Sequence, residues 1–208
     1  MLKILRDIPP QGSNAKIFGL TGGIGAGKST VATLLSQRGA FVVDADQVVR
    51  DLQKPGGEAV EALVDAFGDS VLDSGGGINR TALAQVAFRN DENRRLLEAI
   101  IHPRVRQKVQ EIFATLEPGQ VGIYDVPLLV ETDMARQFAG VIVVEAPLEV
   151  RLDRLERRGI SREEALRRIA AQATDEERRA VGHVVIENGK DHTHLTGVVN
   201  ALWELIVH

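Results

Sequence analysis

The 208-residue chain has no cysteine. Disulfides, thiolate nucleophiles and cysteine-ligated metals are therefore excluded, and redox chemistry gives no argument about compartment. No apolar stretch reaches membrane-spanning length. The opening segment, MLKILRDIPPQGSNAK, is mixed in charge and lacks the long apolar run of a signal peptide. There is no basic excess either: the net charge of −4 argues against an overall basic, nucleic-acid-binding surface. Internal repeats and low-complexity segments are missing too. What is present is an ordinary globular balance, 44% hydrophobic and 26% charged, with enough apolar material for a real core. The expectation is a cytoplasmic protein with no membrane, nucleic-acid or protein partner implied.

Residues 1–15, including Pro9–Asn14, read as a flexible leader. Ile17–Thr21 is a short apolar run, hence a buried strand, and Lys28–Arg38 reads as a helix stopped by Gly39. Phe41–Asp44 is a second β-rich run, followed by another helical stretch. This strand–loop–helix–strand order signals a parallel α/β sheet with crossover helices. From about residue 55 to 118 the pattern is helical only, broken at Gly68, at Gly75–Gly77 and at Pro103. Thr81–Phe88 and Glu92–Ile101 carry apolar residues three and four apart. The core is thus expected over 16–54 and 119–208, with a helical insertion over about 55–118. Strands resume at Val121–Asp125, Val141–Glu145 and Val184–Ile186. Pro147 opens one helix, Ser161 with Glu164 opens another as a capping box, and Leu195–Val207 closes the chain.

Four glycines fall within the six residues Gly22–Gly27. Glycine at that density costs backbone entropy, which points to close backbone approach. Gly22 to Ser29 satisfies G-x-x-x-x-G-K-[ST] in full, with an apolar strand before it and a helix after it. The glycines let N–H groups turn inward around phosphate oxygens, and the helix N-terminus adds its dipole. Gly23, Ile24, Gly25, Ala26, Gly27, Lys28, Ser29 and Thr30 are the expected nucleotide contacts. Lys28 reaches the β- and γ-phosphates and the Ser29 hydroxyl ligates Mg²⁺. A nucleoside triphosphate site follows; kinase, GTPase and motor stay open on this motif alone.

Asp44 and Asp46 leave the second strand on the side where the glycine loop lies. One of them is expected to cap the next helix and the other, Asp46, to accept a proton from an attacking hydroxyl. Asp125 ends a core strand either as a metal-site acid, in the manner of a Walker B strand, or as a turn residue. Pro127, Leu128 and Leu129 either floor a substrate pocket or pack. Among the arginines between Arg151 and Arg168, Arg154 is placed to neutralise a transferring phosphoryl group. Arg167 and Arg168 are read as i,i+4 partners of Glu163 and Glu164. Gln172 reads either as a nucleotide contact in the lid or, more plainly, as a helix-surface residue. His102-Pro103 reads as a helix junction, and His183, His192, His194 and His208 show no metal spacing.

TGGIGAGKST, DAD, IHPRV, DVPLLVE and RLERRGISREEALRRIAAQAT occur in the order and at the approximate spacings of dephospho-CoA kinases. The resemblance runs from about Lys16 to the C-terminus. It implies a P-loop kinase fold, a parallel sheet flanked by helices with a helical substrate-binding insertion and a helical lid. It also implies transfer of the ATP γ-phosphate to the ribose 3′-hydroxyl of dephospho-CoA. In that frame Asp46 resembles the catalytic base, Lys28 and Arg154 the phosphate contacts, and His102 a substrate-domain residue. Thr81–Phe113 resembles the CoA-binding part and 157–173 the lid. Val130 stands where the family often has Phe, and the leader is longer than usual. A nucleoside monophosphate or other metabolite kinase would share the loop but not the DAD, HP and PLLVE set. A GTP switch would need N-K-x-D, whereas Asn188-Gly189-Lys190-Asp191 carries its lysine one place late. Asp65-Ala66-Phe67-Gly68 fits D-x-x-G only within a helical stretch.

Overall fold

The computed structural model describes residues 1–8, 15–132 and 134–207. The chain forms two compact units, Met1–Val43 with Leu116–His208, and Asp44–Thr115. In chain order the elements are β1 (Leu2–Ile4), β2 (Lys16–Gly22), α1 (Lys28–Gln37) and β3 (Phe41–Asp44). The helices α2 (Ala45–Gln53), α3 (Val60–Phe67), α4 (Arg80–Ala87) and α5 (Asp91–Phe113) follow. Then come β4 (Val121–Asp125), β5 (Gly140–Glu145), α6 (Leu148–Glu156), α7 (Arg162–Ala170), α8 (Asp175–Val181), β6 (Val184–Glu187) and α9 (His192–Val207).

The strands form one sheet in the order β1-β6-β5-β2-β4-β3. β2 lies parallel to β4, with Leu20 beside Asp125, and parallel to β5, with Gly22 beside Val144. β5 is in turn parallel to β6. Every residue of β4 and β5 is buried, the near-continuous apolar run of a sheet covered on both faces. Phe18, Leu20, Ile142 and Val144 pack with Val31 and Leu35 of α1 and with Leu195, Val199 and Leu202 of α9. Because β2, β4 and β5 run the same way, Gly22, Asp125 and Glu145 end at one edge. A parallel sheet binds its ligands at that edge.

Several expectations change. The leader is not wholly outside the fold: Leu2–Ile4 pairs antiparallel with β6, Lys3 beside Val185, and so covers a sheet edge. Pro9–Asn14 and His208 lie outside the described residues. The second compact unit, Asp44–Thr115, takes in α2 together with α3, α4 and α5. Pro103 does not separate two helices but sits inside α5. It has no N–H for the Ala99 carbonyl. Arg104 steadies the turn, donating from Nη1 to the Ile100 carbonyl at 2.7 Å and from Nε to the Glu58 carbonyl at 3.2 Å.

Helix starts show a similar exchange. Ser161 caps α7 by accepting from the Glu164 N–H at 3.3 Å, yet Glu164 does not reach back to complete a box. Its carboxylate is taken by Arg167 at 2.7 Å and Arg168 at 2.8 Å. The complete capping box belongs instead to Thr174 and Glu177 at the start of α8, a helix the apolar pattern did not announce.

Candidate functional site

The turn from β2 into α1 carries the glycine loop, and its backbone geometry explains the glycines. Gly25 and Gly27 stand at φ +79° and +94°, in the left-handed region that side chains disfavour. A Cβ on Gly27 would also lie 2.2 Å from Asn188 Nδ2, so there is no room for one. Within the loop, the Ala26 N–H donates to the Gly23 carbonyl at 3.0 Å, and the Thr30 N–H to the Gly27 carbonyl at 3.1 Å. Among the described residues, the N–H groups of Gly25, Gly27, Lys28 and Ser29 have no partner in the chain. Two of these belong to the first turn of α1, where orphan donors and the helix dipole favour an anion.

The loop's carbonyls, by contrast, are held by side chains. Arg151 on α6 donates from Nε to the Ile24 carbonyl at 2.9 Å. Arg154, one turn later, donates from Nη1 to the Gly25 and Ala26 carbonyls at 3.2 and 3.1 Å. Asn188, just past β6, donates from Nδ2 to the Ala26 carbonyl at 2.8 Å, and its own carbonyl accepts from Arg154 Nη2 at 3.0 Å. Gln172 accepts from the Ile24 N–H at 2.8 Å. The two faces of the loop are thus separated: carbonyls braced by cations and amides, N–H groups left for something else. Burial lowers the pKa of Arg151, and Arg178 pushes it the same way while Asp175 opposes both. Burial, then Arg158 and Arg157, lower that of Arg154.

Lys28 donates its ammonium to the Asp125 carboxylate at the carboxyl end of β4. Both side chains are largely buried, so the acid that sequence left between two roles serves as the loop lysine's counter-ion. Ser29 is exposed in the first turn of α1. Beyond β4, Thr21 Oγ1 donates to the Pro127 carbonyl at 3.3 Å. Leu128 is half exposed, whereas Leu129 is fully buried, with its Cδ1 2.6 Å from where a Gly19 Cβ would stand. Leu129 is therefore a packing residue, and of the three only Leu128 offers a substantial apolar surface.

In the other unit, Asp44 caps α2, its carboxylate accepting from the Asp46 N–H at 2.8 Å and the Gln47 N–H at 3.2 Å. Capping orients the first turn and leaves the Asp46 side chain exposed. His102 is exposed on α5. Glu163 and Glu164 pair with Arg167 and Arg168 as the i,i+4 spacing indicates, at 3.6 and 2.8 Å. Asp65 lies inside α3, with no strand end for a switch acid. Sequence reasoning missed Asn188 and Gln172 as loop contacts. Asn188 had a usable signal, its place just after a strand on the edge that carries the loop. Gln172 had none, because its partner is 148 residues away.

The family model for dephospho-CoA kinase matches residues 16–193. A dephospho-CoA kinase of Frankia casuarinae is 42% identical over 186 residues, covering 89% of this chain and 81% of that one. One from Mycobacterium tuberculosis is 46% identical over 187 residues, covering 89% of this chain, which spans only 46% of its length. A crystal structure from Thermus thermophilus superposes with TM-score 0.80 at 36% identity, covering 92% of this chain and 97% of that one. A Campylobacter jejuni dephospho-CoA kinase, TM-score 0.67 at 24% identity with coverage of 92% and 97%, shares the fold. With a family match from β2 into α9 and the braced glycine loop at its head, the chain belongs to the dephospho-CoA kinase family.

Proposed function

We propose that this chain transfers the γ-phosphate of ATP to the ribose 3′-hydroxyl of dephospho-CoA, making coenzyme A. The observation that carries the phosphate half is the set of unpartnered N–H groups at Gly25, Gly27, Lys28 and Ser29, gathered at the start of α1. Such a set stabilises phosphate oxygens without any reorganisation at the moment of reaction. Family membership supplies the acceptor.

In this reading Lys28 leaves or shares Asp125 to follow charge onto the β- and γ-phosphates as the bond to the leaving oxygen breaks. Arg154 keeps the Gly25 and Ala26 peptides facing the right way and adds positive charge beside them. Asp46 accepts the proton of the attacking 3′-hydroxyl, so that the oxygen gains the phosphoryl group and the carboxylate gains the proton. His102 and Leu128 serve the acceptor, and α4 and α5 hold its CoA portion. The segment 157–173 acts as the lid that excludes water, which would otherwise compete as acceptor.

Mg²⁺ fits this donor set. Ser29 Oγ and the Asp125 carboxylate are hard oxygen ligands of the kind the ion takes in small number beside substrate phosphates. No group of three His, Asp or Glu residues suited to a metal occurs among the described residues, so phosphate oxygens and water would complete its shell. Bound there, the ion would neutralise charge on the β- and γ-phosphates.

The test is the position of the new phosphate. Incubation with ATP and dephospho-CoA, followed by NMR of the purified product, should show a phosphomonoester on the ribose 3′ oxygen. Phosphate released only as inorganic phosphate, or carried elsewhere on the acceptor, would refute the assignment. No helix among the described residues is long and apolar enough to cross a membrane.

A further inference from the structure

Ile24 is held on three sides. Its N–H donates to Gln172 Oε1 at 2.8 Å and its carbonyl accepts from Arg151 at 2.9 Å. Its side chain packs against the cluster of Leu152 and Leu155 of α6 and Ala165 of α7, as Ile160 and Ile169 also do. Gln172 follows directly on α7, in the short connector to α8. The next residue, Ala173, donates its N–H to Glu131 Oε1 at 2.9 Å. Glu131 closes the Pro127–Glu131 segment beyond β4. Successive Cα atoms are about 3.8 Å apart, so a shift of one connector residue is carried to its neighbour. The far side of the connector is fixed: Thr174 and Glu177 form the capping box of α8. Arg179 on that helix grips the buried Glu145 carboxylate through two bonds of 2.8 and 2.5 Å.

We propose that Gln172 and Glu131 are positioning residues which couple the glycine loop to the Pro127–Glu131 segment, making nucleotide and acceptor binding mutually reinforcing. This deepens the function proposed above and rests on its assignment of that segment to the acceptor. A phosphate drawn into the loop fixes the Ile24 peptide, Ile24 fixes Gln172, and Ala173 then holds Glu131. The coupling is reciprocal by thermodynamic necessity: acceptor bound against 127–131 orders the loop by the same factor.

Calorimetric titration of the full chain with dephospho-CoA, with and without a non-hydrolysable ATP analogue, measures that factor. In the wild type it should fall within the about 5- to 150-fold range of ordinary coupling. Gln172→Met, which keeps bulk but not the acceptor oxygen, and Glu131→Ala should both bring it towards one. Glu131→Gln, which retains a carbonyl oxygen for Ala173, should restore it, and the double variant should be no worse than either single one. A factor unchanged in Gln172→Met, or separate affinities that fall while their ratio holds, would overturn the proposal. A second readout needs no acceptor. The ATP analogue alone should slow amide exchange at Ala173 and across 128–132 in the wild type, but not in Gln172→Met. If dephospho-CoA failed to bind while this protection held, the acceptor assignment and the mutual reinforcement would fall, and only the link from the loop to the 127–131 segment would stand. Equal protection in both proteins would sink the coupling itself.

Discussion

Lys28, at the first position of α1, is paired with Asp125, at the last position of β4, the strand that lies beside β2 in the sheet. The pair aims the loop lysine before any phosphate is present. Breaking a buried ion pair from one side leaves an uncompensated charge, at a cost of about 3 kcal/mol where, as at Lys28, some solvent contact remains. Asp125→Ala should therefore lose stability of that order in urea denaturation. Lys28→Ala should lower kcat/KM for ATP by about 10²- to 10³-fold, the scale for removing one donor to developing charge. Wild-type kinetics in Lys28→Ala would remove the loop from the chemistry.

Asp46 tests the proton's destination. Because Asp44, not Asp46, satisfies the orphan N–H groups of α2, replacing Asp46 leaves the cap intact. Asp46→Asn should reduce kcat by about 10²- to 10⁴-fold, the usual contribution of a general base. The ATP KM and the melting temperature should stay near their wild-type values. Near-normal turnover would transfer the base to another group.

Leu128 and Leu129 are neighbours with opposite fates. Leu129→Ala empties a fully buried site against Gly19 and should cost about 2–5 kcal/mol in stability. Leu128→Ala removes a half-exposed side chain and should leave stability almost unchanged while raising the acceptor's KM. Equal destabilisation by the two would place both in the core.

His183 introduces a pH dependence far from the loop. Its Nδ1 accepts from the Val141 N–H at 3.2 Å, which requires the neutral ring. Burial, and then the nearby Arg6 charge, lower its pKa below the ordinary value of 6.5, against a smaller opposing effect from the Val181 backbone. The folded state therefore binds the proton less readily than the unfolded chain. The stabilisation is complete above the unfolded pKa and is lost as pH falls through the folded one. Thermal melts below about pH 6.5 should show a falling midpoint that His183→Gln flattens. An unaltered slope in that variant would assign the acid sensitivity to other groups.

These residues also show what one-dimensional reading can and cannot reach. β3 and β4 are legible to the residue because each is a short apolar run ending in an acid, and the loop is legible because its glycines answer a local backbone need. Pro103 is a local signal that predicts a break, yet α5 runs through it. The ties that carry the helix through, Arg104 to Glu58 and to Ile100, include one that spans 46 residues. Leu2–Ile4 has nothing in its own composition that marks it as a strand; β6 supplies the edge it pairs with. Sequence points Arg154 at the phosphates; in the structure its hydrogen bonds go to the Gly25 and Ala26 carbonyls of the loop, a distinction only geometry draws. Local chemistry is written in local sequence, and the bracing of that chemistry is written in contacts.

The most direct measurement is ADP formation from ATP with each acceptor in turn: dephospho-CoA, the nucleoside monophosphates, and none. The account predicts rapid turnover with dephospho-CoA and only background rates otherwise. Comparable rates with AMP or CMP, or with no acceptor at all, would contradict it.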